Sequence, residues 1–399
     1  MSSTDLPRPE APAQQHSEQL QAKIRAAIEA AGGVIDFARF MELALYAPGL
    51  GYYSAGARKF GEAGDFVTAP ELSPLFSRCL ARQCRQVLAE IGCGDILEFG
   101  AGTGIMAAEL LLELERLETL PGQYFILELS PDLQQRQRDT LARRVPHLLA
   151  RVSWLEGLPH TGFQGVILAN EVVDAMPVHL LRFLGHNDGE QTVMERCVGW
   201  DGRGFAWQER PLALPDLQRR LDELRQALGE WGFCPGYVTE INLVQTAWVN
   251  SLAAALERGA ALIIDYGFPQ HEYYHPDRTT GTLMCHYRHR AHGDPLILVG
   301  LQDITAHVDF TALAGAAQQA GLDVMGYTSQ AQFLLATGLT DMVAELEPAA
   351  TRAYLETTQQ VKRLTLPSEM GELFKVLALG RGLAGPLQGF MLQDRRSRL

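Results

Sequence analysis

Two acids spaced by three, Glu171 and Asp174, follow the apolar run Gly165-Val166-Ile167-Leu168-Ala169 and the polar Asn170. A run of that length between polar stretches reads as a buried strand, so the acids stand where strand gives way to loop. Two carboxylates there could grip a guanidinium in a bidentate fork and aim one of its nitrogens at a reagent. The plainer alternatives are that Asp174 caps a helix or that both acids are solvated. An unpaired carboxylate pair in an apolar mouth is costly, which favours a cationic guest. A second set of carboxylates brackets a glycine turn. Glu98 ends the apolar pair Ile96-Leu97, and Gly100, Gly102 and Gly104 follow it directly. Glu128 ends another apolar run, Tyr124-Phe125-Ile126-Leu127, about two dozen residues past Gly104.

After the glycines comes Ile105 to Leu117, rich in Ala, Leu and Glu and free of Gly and Pro, which predicts a helix. Strand, glycine turn and helix open a nucleotide pocket in α/β sheets, because glycines let backbone N–H groups approach a ligand closely. From Gly102 the segment fits G-x-G-x-x-A, a loose dinucleotide fingerprint, with Glu128 accepting ribose hydroxyls. From Glu98 it fits E-x-G-x-G-x-G, the first motif of Rossmann-like methyltransferases that bind S-adenosylmethionine. The second reading suits the residues better. The helix start offers no further glycine for close pyrophosphate packing, and Glu98 would repel a phosphate. A sulfonium and an ammonium attract carboxylates instead. Glu128 has the simpler alternative of capping the helix that Ser130-Pro131 would start.

The chain has 399 residues, 47% of them hydrophobic and 20% charged, which suits one large domain with additions or two domains. A formal charge of −13 argues against general affinity for nucleic acid or anionic membrane, so neither is expected as a partner. Cys79, Cys84, Cys93, Cys197, Cys234 and Cys285 are scattered without a C-x-x-C pair and read as free thiols of a reducing compartment. Residues 1–16 have neither the apolar core of a secretion signal nor the Arg-rich, acid-poor character of a transit peptide. With no apolar run near the ~18 residues of a membrane helix, the expectation is a cytoplasmic protein. His286, His289 and His292 recur every third residue, but without H-E-x-x-H or a cysteine pair no metal site is expected. Asp303, His307 and Asp309 read as a hydrogen-bonded polar cluster. Walker A and G-x-S-x-G sequences are missing, so kinase and esterase readings have no support.

In chain order, residues 1–16 read as disordered, and 17–90 as a helical and lid region. Ser17 caps a first helix with Leu20, Ile24 and Ile28 inward, and Asp36 caps a second that ends at Pro48. The irregular stretch Gly49 to Pro74 reads as a lid beside the pocket or as a packed loop. Residues 91–178 form the first part of a Rossmann-like core. Residues 179–258 are inserted antiparallel strands and helices, with turns at Asn187-Asp188-Gly189 and Asp201-Gly202. Residues 259–399 complete the core, with a polar loop over 268–303 and a helical stretch over 331–365.

Assembled, these motifs resemble the MidA-type family of class I methyltransferases, whose best-known branch is a mitochondrial complex I assembly factor that methylates protein arginine. The resemblance spans roughly Gly33 to Phe390. It rests on the ordered set Ala44-Leu45-Tyr46 through Gly51-Tyr52-Tyr53, Gly64-Asp65-Phe66 through Ala69-Pro70-Glu71, Glu98 through Gly104, and Asn170-Glu171 through Asp174-Ala175-Met176-Pro177. Ile264-Asp265-Tyr266-Gly267, Gly281-Thr282-Leu283 with His286, and Gln302-Asp303-Ile304-Thr305 through Asp309-Phe310 continue it. The resemblance implies a seven-stranded Rossmann-like sheet with an N-terminal helical extension and an insertion after strand four. It implies S-adenosylmethionine as donor and the ω-nitrogens of a protein arginine as acceptor, with symmetric dimethylation. It places Glu98, Gly100, Gly102, Gly104 and Glu128 on the cofactor, Asn170 and Glu171 beside it, and the Gly64-Asp65-Phe66 loop over it. Glu171 and Asp174 are then the expected catalytic pair. A non-catalytic assembly factor that binds the cofactor only to fix its fold, and a nicotinamide oxidoreductase, stand as alternatives. Without a transit-peptide signature, the respiratory partner of the mitochondrial branch is not carried over.

Overall fold

Seven short apolar runs build the central sheet: β1 (Asp95–Phe99), β2 (Tyr124–Leu127), β3 (Val152–Leu155), β4 (Phe163–Asn170), β5 (Leu256–Phe268), β6 (Asp323–Ser329) and β7 (Phe374–Arg381). The protein is described from a computed structural model covering residues 6–54, 68–187, 190–228, 233–345 and 351–399. Its strand order is β3-β2-β1-β4-β5-β7-β6. Neighbours are parallel except β7, which runs antiparallel to β5 and β6. A two-residue strand, Val308–Asp309, extends the C-terminal end of β5. Side chains alternate between two apolar layers. Ile96, Val166, Leu168 and Leu262 enter one, while Leu97, Ile167, Ala169 and Ile263 enter the other. Burial on both faces is why these strands read as continuous apolar runs. The chain leaves β1 toward β2 on one side and returns as β4 on the other, which opens a crevice beyond their C-terminal ends.

The helices that concern the crevice are α1 (Ala11–Ala30), α2 (Phe37–Tyr46), α3 (Ala69–Leu72), α4 (Pro74–Ile91), α5 (Ile105–Arg116) and α6 (Pro131–Arg144). Asp36 caps α2 as expected, its carboxylate accepting the Arg39 N–H at 2.7 Å. Helix α1 begins at Ala11, so residues 11–16 are helical and the expected disorder through residue 16 is corrected. Ser17 is no cap: it lies inside the helix, and its hydroxyl donates to the Val299 carbonyl at 2.8 Å. Propensity in Ala-Pro-Ala-Gln-Gln carried the helix back, with Pro12 tolerated in its first turn.

Residues after β4 form a second, antiparallel sheet from His179–Asn187, Glu190–Trp200, Phe205–Pro211 and Val238–Ile241. Asp188 and Gly189 of the expected turn lie outside the described residues. The strand Val34–Asp36 joins this sheet at its edge, pairing with Cys197 to Gly199, a tie between N-terminus and insertion that periodicity did not announce. Two further expectations need correction. The supposed polar loop 268–303 holds a hairpin, Met284–Tyr287 with Arg290–His292, that pairs with Asp303–Thr305 into a three-stranded sheet. Among its described residues the helical stretch 331–365 holds three helices, Gln330–Ala336, Leu339–Ala344 and Thr351–Thr365, the first two separated at Gly338 in left-handed conformation.

Candidate active site

The crevice is a cavity of about 930 Å³ floored by the turns after β1, β2 and β4 and walled by α2, the segment at Tyr53, α3 and the three-stranded sheet. Its glycine turn explains the glycines. Gly100, Gly102 and Gly104 have φ of 59°, 53° and 81°, a left-handed backbone that side-chain-bearing residues rarely adopt. A Cβ at Gly104 would also stand 3.0 Å from the Gln137 Cα of α6, so this glycine lets α6 press against the turn. Gln137 repays that closeness by donating to the Gly102 carbonyl at 3.1 Å and to Glu128 Oε2 at 3.0 Å. Thr103 donates to Glu71, which ties the turn to α3.

Glu98 is 1% exposed and accepts the Tyr124 hydroxyl at 2.6 Å. Burial pushes its carboxyl up to about 7, against the lowering effect of Tyr124 and with a further push from Glu128. Glu128 takes part in the capping arrangement foreseen as its alternative, accepting the Ser130 N–H at 2.9 Å, yet it also lines the cavity. Ser130 itself caps α6.

Asn170 ends β4, and Glu171 follows it at φ 52°, a left-handed conformation that is strained for a non-glycine residue. The Glu171 N–H donates to the Ile264 carbonyl at 2.9 Å, so β5 holds the kink in place. Its carboxylate accepts Asn170 Nδ2 at 3.1 Å, and the Ala69 N–H at the start of α3 favours its charged form. Burial first, and the neighbouring Asp174 second, push the Glu171 carboxyl up to about 8. Asp174 is 5% exposed, and burial pushes it up to about 6 while a Tyr266 hydrogen bond pulls the other way. Its Oδ1 and the Oδ1 of Asn170 are buried without a hydrogen-bond partner among the described residues. A buried orphan acceptor is costly, so such atoms at a cavity mark places for a donor. Asp265, at the end of β5, accepts the N–H groups of Val173 and Asp174 at 3.0 and 3.2 Å and thereby shapes the acidic loop.

The structure thus gathers Glu98, Gly100, Gly102, Glu128, Asn170, Glu171 and Asp174 around one cavity, with Gly104 at the start of α5 beside it. Gly64, Asp65 and Phe66 lie outside the described residues. Sequence reasoning gave no site role to Tyr46, Tyr53, Glu71, Tyr266, His286, Asp303 or His307, all of which line the cavity. Asp303 and His307 were expected to serve only a polar cluster. Asp309 does belong elsewhere: it caps the helix Phe310–Gln319 and pairs with Arg220 at 3.1 Å. Among the described residues no group of three His, Cys, Asp or Glu is placed to hold a metal.

The cavity suits S-adenosylmethionine: a bared glycine backbone lies beside carboxylates and orphan acceptors, with Phe99, Met106, Leu127 and Leu133 as apolar lining. Sheet order, antiparallel β7, glycine turn and acid after β2 together define an S-adenosylmethionine-dependent class I methyltransferase. Comparison with known proteins agrees. Residues 79–328 match the Methyltransf_28 family model, described as "Putative S-adenosyl-L-methionine-dependent methyltransferase". A COG1565 superfamily protein from Burkholderia thailandensis, solved with S-adenosyl-homocysteine bound, is 49% identical, with TM-score 0.93 over 99% of this chain and 100% of that one. The Drosophila melanogaster protein arginine methyltransferase NDUFAF7 homolog is 30% identical over 92% of this chain and 85% of its own length. The Homo sapiens NDUFAF7 is 27% identical over 87% and 80%. The chain belongs to the Methyltransf_28 (MidA/COG1565) family.

Proposed function

We propose that this methyltransferase acts on the ω-nitrogens of an arginine in a protein substrate, with symmetric dimethylarginine as product. One observation carries the reading. Six carboxylates, Glu71, Glu98, Glu128, Glu171, Asp174 and Asp303, line the cavity among its described residues, and no lysine or arginine does. Glu98, Glu128, Asp174 and Asp303 are buried, and buried carboxylates are expensive unless cations answer them. A cationic donor answers some, and a guanidinium acceptor answers the rest. The name protein arginine methyltransferase, carried by the fly and human relatives, supports the same acceptor. Symmetric dimethylation is what the family resemblance implies.

S-adenosylmethionine supplies a methyl group already activated by its sulfonium, which leaves alignment and charge balance to the protein. Glu98, Glu128 and the glycine backbone would hold the cofactor. Glu171 and Asp174 orient the guanidinium through charge-assisted hydrogen bonds. The attacking nitrogen gains the methyl and gives up one proton. The Glu171 carboxylate, with its raised affinity for a proton, takes it.

The test is transfer of labelled methyl groups from S-adenosylmethionine to a protein extract, followed by hydrolysis and mass spectrometry of the amino acids. Symmetric dimethylarginine is expected, at a rate depressed at least about a hundredfold in Glu171→Gln, with S-adenosylhomocysteine binding retained. Label confined to residues other than arginine would overturn the acceptor. Loss of S-adenosylhomocysteine binding in Glu171→Gln would move Glu171 to the cofactor side.

A further inference from the structure

We propose that Asp303, fixed by Tyr53, is the acceptor-binding carboxylate of the far wall, so that the acceptor cation is gripped from two sides. The inference rests on the arginine reading above and names the opposite half of that site. The far wall is the three-stranded sheet, and the two-residue period of its strands decides what faces the cavity. His286 stands opposite Asp303, and Met284 opposite Thr305. All four line the cavity. The alternate residues Cys285 and Ile304, both 0% exposed, turn the other way into the apolar cluster with α1 and α2. A strand with one apolar and one polar face thus delivers Asp303, itself 3% exposed, to the site as part of the fold.

Asp303 Oδ1 accepts the Tyr53 hydroxyl at 2.9 Å and the Ile304 N–H at 3.0 Å, which sets the plane of the carboxylate. Tyr53 stacks on Tyr46, with ring centroids 5.6 Å apart and planes within 23°. Tyr46 is anchored in turn by donating to the Ala175 carbonyl at 2.9 Å. The far wall and the acidic loop are joined directly, because the Ala306 N–H donates to the Asp174 carbonyl at 2.9 Å. Asp303 is near enough to push the Glu171 carboxyl upward. Asp174 Oδ1, buried at the cavity without a partner among the described residues, is an independent sign that a donor belongs between these groups. Carboxylates on two walls and stacked aromatic rings beside them fit a planar cation with donors on several edges. A guanidinium is such a cation, and an ammonium is not.

The experiment titrates N-ethylguanidinium into the full chain saturated with S-adenosylhomocysteine, by calorimetry, with ethylammonium and N-ethylurea as comparison probes. Saturable binding of N-ethylguanidinium is expected, with N-ethylurea silent. Asp303→Asn should weaken that binding about tenfold, the range for a lost hydrogen bond to a charged group, while S-adenosylhomocysteine affinity stays within about twofold. Tyr53→Phe keeps the stacked ring and should weaken N-ethylguanidinium less, and it carries the test if Asp303→Asn does not fold. Unchanged N-ethylguanidinium binding in both variants, with loss in Glu171→Gln, would overturn the two-sided grip and leave the arginine reading standing. Equal binding of N-ethylurea, or loss of S-adenosylhomocysteine binding in Asp303→Asn, would also overturn it. Failure of the unsubstituted protein to bind any of the cations would remove the arginine reading itself.

Discussion

Replacing Glu171 by Gln should make the unliganded protein more resistant to alkaline pH, although it removes the carboxylate proposed to take the proton. The folded carboxyl is pushed up to about 8 by burial and by Asp174, from an ordinary value of 4.5. For a group whose pKa is raised on folding, the stability is fully present below the unfolded pKa and is lost as pH rises through the folded one. Between pH 6 and pH 8 the unfolded chain is ionised at this position while the folded chain still holds its proton. Each such unit costs about 1.4 kcal/mol, so the interval costs about 3 kcal/mol at most. Asp174, pushed up to about 6, yields most of its own loss at lower pH. Asp265, also raised, keeps a background slope in both proteins. The measurement is denaturant unfolding of the unliganded wild type and Glu171→Gln side by side at pH 6 and pH 8. Wild type should lose on the order of 1–3 kcal/mol more than the variant over that interval. Equal losses would refute the view that the site stores an unfavourable carboxylate in wait for a cation.

Two glycine substitutions separate the pocket from the sheet. Gly104→Val adds a side chain at φ 81° against the Gln137 backbone, so it should displace α6 and weaken S-adenosylhomocysteine binding by about tenfold or more, measured by calorimetry. Affinity within twofold of wild type would contradict that. Gly165→Ala places a Cβ 1.9 Å from the Asp95 carbonyl oxygen at φ 148°, between β1 and β4, where nothing can move aside. A loss beyond about 4 kcal/mol is expected, read as absence of folded protein by circular dichroism. A variant melting within a few degrees of wild type would show that the strands can separate locally.

Much of the cavity floor was legible because it is local. Strand, glycine turn and helix occupy one stretch, and the conformational demand at Gly100, Gly102 and Gly104 writes itself into residue type. Asn170, Glu171 and Asp174 were legible for the same reason, since an apolar strand running into acids marks its own end. The far wall was not legible. Met284 to Tyr287 is too short and mixed for a period-two signal, and its partner Asp303–Thr305 pairs from across a loop. Tyr46 and Tyr53 carried no site signal of their own, because their hydroxyl partners, Ala175 and Asp303, lie 129 and 250 residues away. The start of α1 was missed because polar residues before Ser17 carried helix propensity without an apolar stripe.

The distance between Tyr53 and Asp303 along the chain has a consequence for synthesis. The helices α1 and α2 leave the ribosome first, carrying Leu20, Ile24, Phe37 and Phe40, all 0% exposed in the finished fold. Trp207, against which Phe37 packs, arrives much later, and Cys285 and Ile304 close the cluster later still. Through most of translation the newborn N-terminus therefore shows an apolar face that lacks its later partners Trp207, Cys285 and Ile304. Such a surface invites either chaperone cover or self-association. The glycine turn, Glu98 and Glu128, by contrast, are all synthesised by residue 128. A ribosome-bound chain thus carries the glycine turn and these two acids long before it carries the far wall.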